Sequence, residues 1–348
     1  MLGALSFRPI GEALLSSVER LPIWAGVPAA TGIVLGVSFI VRAPLSYWRG
    51  YLWEKKWGFS TQSREAWAVD RLKALAVSIV LVTAVMLGLL ELIRSFPTWW
   101  LAPAAVGASF MVLFLSFIAP VLLEPIFNRF STLEDQGLSA ELKALAVRAG
   151  VPVREVLVAD ASRRSTKDNA YVSGLGTTRR VVIFDTLLRH AGRRELDVVV
   201  AHELGHRRLG HVAKGTVLGM AGATAGVFVL WILLRPSVTS SLGFPGPGSV
   251  RVIPFVLLVV TALGVAGLPV GAAFSRRLES DADRFSLDLT EDPRAFEETF
   301  SRLATSNLMD LDPPRLAYVV LFSHPTPPER IASARRWRAK SSRGTDCD

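Results

Sequence analysis

The sequence predicts a mainly α fold in which several membrane-crossing helices are joined to a small cytoplasmic α+β domain. Three observations carry this reading. Half of the 348 residues are hydrophobic and only 20% are charged, with a mean hydropathy of +0.37, whereas soluble domains carry about 25% charge. Five stretches, 21–43, 72–93, 100–123, 216–234 and 252–274, reach the roughly 20 apolar residues that a bilayer core demands. Between the third and the fourth lies a polar interval, 124–215, in which β-branched runs alternate with turn residues.

In chain order, residues 1–20 are mildly amphipathic and suit the membrane interface. Ser46 to Ser60 mixes Trp and Tyr with Lys and Arg, the composition of an interfacial anchor. Within the polar interval, Ser139 is placed to cap a helix that runs to about Arg148 and ends at Gly150-Val-Pro152. Residues 153–159 and 180–184 read as strands, and 169–173 as a shorter one ahead of a Gly-Leu-Gly turn. From about Arg193, one helix is expected to run through a pair of histidines and on into the fourth apolar stretch.

Charge gives the orientation. Segments 42–73, 124–215 and 275–348 share one face of a five-span arrangement and hold 34 of the 39 Lys and Arg; the other face has Arg8, Arg20, Arg94, Arg235 and Arg251. The positive-inside rule places the three basic segments in the cytoplasm and the N-terminus outside. This distribution explains the net charge of +9, and no nucleic-acid motif accompanies it. The single cysteine, Cys347, excludes an intrachain disulfide and fits a reducing compartment.

Chemistry concentrates in His202-Glu203-Leu204-Gly205-His206. Residues four apart share a helix face, so His202 and His206 can grip one metal ion while Glu203 stands ready to take a proton from water. A third ligand is set by level. If the fourth and fifth stretches form an antiparallel hairpin turning near residue 243, Leu204 lies 39 residues before the turn and Glu279 lies 36 after it. At roughly 1.5 Å per residue the two agree to about one helical turn. Asp283, one turn beyond Glu279, can accept the second N–H of a ligand histidine. The competing reading of both acids is a solvated helix end paired with Arg276 or Arg284. His211 lies outside the His-x-x-Gly-x-x-His pattern, because Leu209 and Val212 stand where that pattern needs Gly and His; it reads as structural.

The ordered set of motifs resembles the integral-membrane zinc endopeptidases that include the type I CAAX prenyl proteases and, more distantly, bacterial heat-shock membrane proteases. It comprises Glu54-Lys-Lys-Trp-Gly-Phe-Ser-Thr61, Pro125-Ile-Phe-Asn-Arg-Phe130, Asn169-Ala-Tyr171, Ile183-Phe-Asp-Thr-Leu-Leu188, the histidine pentad, Glu279 to Phe285, and Ser323-His-Pro-Thr-Pro-Pro-Glu-Arg330. The resemblance implies one Zn2+ held by His202, His206 and Glu279, and Glu203 and Asp283 as catalytic carboxylates. It also implies a water-filled intramembrane chamber, although eukaryotic members are described with seven spans against five here. His324 and Arg330 become donors to a developing oxyanion, or else mark a structural turn. Asn169 and Ala170 resemble the edge strand that pairs with a substrate backbone, or else form an ordinary turn. The expected architecture is an N-terminal membrane domain over 1–123 and a zincin-like metalloprotease domain over 124–348, the latter including the two-span hairpin at about 216–274. The expected substrate is a peptide or protein, lipid-modified or membrane-inserted, cut at the cytoplasmic face of a bacterial cell membrane. Two other readings stand beside it: a quality-control protease of the heat-shock type, and a zinc-binding scaffold that does not cleave.

Overall fold

The computed structural model describes residues 16–344 except 123 and 175. Most of the expected amphipathic start, the boundary residue 123 and Cys347 therefore lie outside the described residues. Three long helices open the chain: α1 (Ile23–Tyr47), α2 (Arg64–Ser95) and α3 (Leu101–Leu122). Next come β1 (Phe130–Thr132), α4 (Gln136–Arg148), β2 (Glu155–Ala159), β3 (Ala170–Ser173), β4 (Arg180–Phe184), α5 (Asp185–His190) and α6 (Arg193–Arg208). The chain closes with α7 (His211–Leu233), α8 (Ile253–Thr290), α9 (Pro293–Ser306), α10 (Arg315–Leu321) and α11 (Pro327–Gly344). Ile23–Lys56, Arg64–Ser95, His211–Leu233 and Val250–Thr290 are long and apolar enough to cross a membrane, and a shorter apolar helix covers Leu101–Phe117.

Contacts divide the chain into two compact units. The first runs to Trp57 and takes in Ser63–Leu113 and Leu218–Val265. Its core is a cluster near one end of the helices, built from Val27, Leu90, Ile93, Trp100, Leu234 and Ile253 among others. Elsewhere its helices turn Ile40, Val80, Val106, Phe110 and Leu258 outward, the pattern of a helix surface that faces lipid rather than water.

The second unit comprises Gly58–Gln62, Phe114–Val217 and the chain from Ala266 onward. Its four-stranded sheet has the order β1-β2-β4-β3, with β2 and β4 parallel and the two edge pairs antiparallel. Leu142, Leu145, Val156, Ile183, Leu187 and Leu204 pack α4, α5 and α6 on one sheet face, while Leu157, Ala159 and Val182 bury the other. A further cluster of Val198, Leu287, Phe296, Phe300 and Ala334 binds α6 to α8, α9 and α11.

Two local expectations are corrected. Helix α4 is capped by Asp135, whose carboxylate accepts the Leu138 N–H at 2.9 Å, and Ser139 is buried inside the helix. Asp135 has the extended backbone that a cap needs, three residues ahead of an N–H without a helical partner. The histidine helix also does not continue into the fourth apolar stretch. It ends at Arg208, and Gly210, at φ +69°, adopts the left-handed conformation that closes α6 before α7 begins.

Candidate metal centre

Helix α6 brings His202, Glu203 and His206 to one end of the second unit, and α8 brings Glu279 and Asp283. Two features let these helices approach closely. A Cβ on Gly205 would stand 3.0–3.3 Å from atoms of Phe285, so only glycine accommodates that ring without displacement. The buried Ser286 hydroxyl donates to the Val198 carbonyl of α6 at 2.8 Å.

The donor atoms converge. His202 Nε2 lies 3.2 Å from Glu279 Oε2, His206 Nε2 lies 3.4 Å from Glu279 Oε1, and the two Nε2 atoms are 3.2 Å apart. One ligand atom from each of the three residues falls within 4.8 Å of the others. Asp283, 2% exposed, faces the other side of His202, with Oδ1 2.9 Å from Nδ1. An N–H at Nδ1 directed to that carboxylate leaves the Nε2 lone pair aimed at the cluster. Asp283 is itself gripped by Arg330 through Nε at 2.8 Å and through Nη2. The Arg330 guanidinium lies 3.6 Å from the centroid of the Phe300 ring. His324 is half exposed and places Nε2 3.4 Å from Glu279 Oε1.

Electrostatics favour a cation here. Burial alone would lower the His202 pKa, but the Asp283 and Glu279 carboxylates override it and raise it to about 9. Two imidazoles and a carboxylate within bonding reach of one point are the donor set of a zinc-type site. Burial pushes the Glu203 carboxyl up, opposed by the two histidines.

A cleft of about 380 Å³ opens over the donors, lined by Asn169, Ala170, Glu203, His324 and Arg330 as well as the ligands. A second cavity of about 300 Å³ adjoins it, and Glu203, His206 and Glu279 line both. Strand β3 forms the sheet edge beside them. Phe184 N–H donates to the Asn169 carbonyl at 3.0 Å; by the alternation of an antiparallel pair, this turns the backbone groups of Ala170 and Val172 to the open edge. The Asn169 side chain accepts the Ala170 N–H at 2.9 Å, and Arg207 donates to the Val172 carbonyl at 3.0 Å.

All nine residues expected from the sequence thus lie at or against one cleft. Sequence reasoning missed Gly205, Arg207, Phe300 and the contact of His206 Nδ1 with His211 Nδ1 at 2.9 Å. The close contact needs a glycine one helical turn from a ligand, and nothing in the spacing marks it. His211 stands one turn after His206, which was the only signal available.

A helix-borne histidine pair completed by a glutamate from a second helix, with a further carboxylate in the cleft, defines a metallopeptidase. The comparisons agree. Residues 132–338 match peptidase family M48, and residues 9–129 match the N-terminal domain of CAAX prenyl proteases, described as having five membrane helices. The chain belongs to this family and is an integral-membrane metalloprotease. Within 9–129, three long apolar helices stand among the described residues. The chain is 32% identical over 308 residues to an uncharacterized metalloprotease, YhfN, of Bacillus subtilis, covering 86% of this chain and 71% of that protein. It is 30% identical over 326 residues to CAAX prenyl protease 1 of Saccharomyces cerevisiae, covering 87% and 70%. The crystal structure of S. mikatae Ste24p superposes with a TM-score of 0.85 at 26% identity, covering 96% of this chain and 83% of that one.

Proposed function

We propose that the chain is a zinc-dependent endopeptidase that hydrolyses peptide bonds at the cytoplasmic face of a bacterial cell membrane. The observation that carries the reading is the pairing of two glutamates with distinct duties. Glu279 points into the donor cluster, while Glu203, one residue from a ligand, lines both cavities that flank it. A scaffold that only held metal would need the first and not the second.

His202, His206 and Glu279 hold the ion. Bound zinc supplies Lewis-acid chemistry, polarising a peptide carbonyl and lowering the pKa of a water toward about 7. The chain's own residues do the rest. The Ala170 carbonyl and Val172 N–H pair with an extended substrate as an added strand, and Arg207 marks the end of that edge by holding the Val172 carbonyl. Glu203 accepts the proton from the attacking water and passes it to the departing amine. His324, over the Glu279 carboxylate, donates to the developing oxyanion. Asp283 and Arg330 act as positioning residues: the arginine fixes the carboxylate, and the carboxylate fixes the His202 ring. The catalytic domain runs over 124–348 with the membrane hairpin inside it, a reading supported by the match of residues 132–338 to the peptidase family.

Glu203→Gln tests the assignment. The variant should retain metal and lose about 10²–10⁴-fold in turnover; retained cleavage would refute the base. The relatives named for CAAX prenyl proteolysis point to a lipid-modified or membrane-inserted substrate. Rates on a prenylated C-terminal peptide and on an unmodified membrane segment separate that from a quality-control protease. The cytoplasmic orientation, with the N-terminus outside for five spans, is supported by the 34-to-5 division of basic residues.

A further inference from the structure

We propose that the segment 307–321, which joins α9 to the strip carrying His324, lies in the headgroup interface of the bilayer as an apolar lip beside the cleft. Six of its fifteen residues are large, apolar and exposed: Leu308, Met309, Leu311, Leu316 (77%), Val319 and Leu321. Helix α10 buries none of its residues, whereas the preceding α9 packs Phe296 and Phe300 into a core. Single exposed leucines are ordinary, but six large apolar residues exposed within fifteen positions mark a surface that meets something apolar.

What it meets is set by a clamp to α8. Arg276 donates to the Tyr318 carbonyl at 3.0 Å and the Phe322 carbonyl at 2.6 Å, and its guanidinium sits 4.6 Å from the Tyr318 ring centroid. In the sequence, Arg276 is the first charge after the uncharged run 252–275. Those 24 residues span roughly 36 Å at 1.5 Å each, against a hydrocarbon core of about 30 Å. Arg276 therefore marks the level at which the span leaves hydrocarbon, and α10 hangs from that level. Exposed Arg277 and Arg315 flank the patch with the charge that anionic headgroups attract. The connecting loop also carries two exposed acids, Asp310 and Asp312, and Asp310 Oδ1 accepts the Asp312 N–H at 3.1 Å. The apolar surface of α8, long enough to cross a membrane, thus continues onto the lip.

His324 follows Phe322 by two residues, so a lipid-anchored substrate travelling along the lip reaches the cleft mouth without leaving the interface. That consequence rests on the peptidase reading above; insertion of the segment does not.

The test uses the full-length protein in vesicles of phosphatidylcholine and phosphatidylglycerol. Cys347→Ser removes the only cysteine, and Leu316→Cys, or Glu298→Cys on the exposed face of α9, carries an environment-sensitive fluorophore. The label at 316 is expected to be blue-shifted and strongly quenched by lipids bearing a shallow nitroxide, and the label at 298 by aqueous iodide. Iodide quenching at 316 equal to that at 298 overturns the proposal. So does excimer emission from pyrene at 316, which would place a second copy of the chain on the patch. In a second arm, Leu316→Glu with Val319→Glu should cut cleavage of a membrane-anchored peptide several-fold. Cleavage of a short soluble peptide with the same scissile sequence should stay unchanged. An equal fall on both would overturn the role in delivery while leaving the insertion result to stand on its own.

Discussion

At the scale of single residues, the centre depends on a chain of partners in which each group fixes the next. Phe300 carries the Arg330 guanidinium, Arg330 holds Asp283, Asp283 orients His202, and His202 completes the donor set with His206 and Glu279. Removing a link should cost affinity rather than chemistry. Asp283→Asn, read by chelator competition, is expected to weaken metal binding about 10–100-fold with little change in turnover of the loaded enzyme. Arg330→Met is expected to be worse for the fold, because it leaves a carboxylate at 2% exposure without its cation; breaking such a buried pair costs about 3–5 kcal/mol, and a lowered thermal midpoint checks it. His202, Glu203 and His206 were legible as a spacing, and Glu279 and Asp283 as a level along a second helix. Arg330 was legible only through the family resemblance, because its partner lies 47 residues away and no local period links them.

The elements place these residues through close contacts that a pattern of apolar residues does not encode. Helices α6 and α8 meet at Gly205, where an added methyl would press within 3.0 Å of the Phe285 ring. Gly205→Ala should push α8 outward by a few tenths of an ångström, lowering both metal affinity and thermal stability. The loop ahead of β3 is held by Asp185, whose carboxylate accepts the Ser162 N–H at 2.8 Å and its hydroxyl. Burial would raise this group, but the Ser162 bonds and Arg189 outweigh it and hold its pKa below the usual value. A lowered native pKa gives stability that is complete above the ordinary aspartate value of about 3.9 and is lost as pH falls through the native one. The protection factors of amides in the loop 161–166, exchange rates divided into their intrinsic values at each pH, should therefore fall below about pH 4 in the natural protein and lose that pH dependence in Asp185→Asn. The four helices long and apolar enough to cross a membrane, the shorter apolar helix Leu101–Phe117 and three of the four strands were visible as hydropathy and β-branching. Strand β1, only three residues long, carries no alternation to read. The break at Gly210 was hidden because apolar and helix-forming residues resume immediately after it.

For the molecule as a whole, the sequence exposed the membrane class and the family. The proposed division at residue 123 follows hydropathy along the chain, and contacts add a spatial grouping that places Leu218–Val265 with the first spans and Gly58–Gln62 with the metal centre. The reason is physical: hydropathy reports which residues leave water and is silent on their neighbours. The segment Gly58–Gln62 illustrates it. Thr61 and Phe59 exchange backbone bonds with Arg164 and Thr166 at 3.2 and 3.0 Å, and Lys167 lies 4.7 Å over the Phe59 ring, which gives the Trp-Gly-Phe-Ser-Thr motif a bracing role. A ligand that binds only the folded state stabilises it by mass action, about 4 kcal/mol at a thousandfold excess over Kd. Chelation should therefore lower the thermal midpoint of the natural protein and leave that of Glu279→Gln unmoved. The most direct measurement is zinc stoichiometry with X-ray absorption at the zinc edge on the purified full-length protein. The account predicts one zinc per chain with nitrogen and oxygen neighbours at about 2.0–2.2 Å, lost in Glu279→Ala; protein without stoichiometric metal, or a first shell unchanged by that substitution, would contradict it.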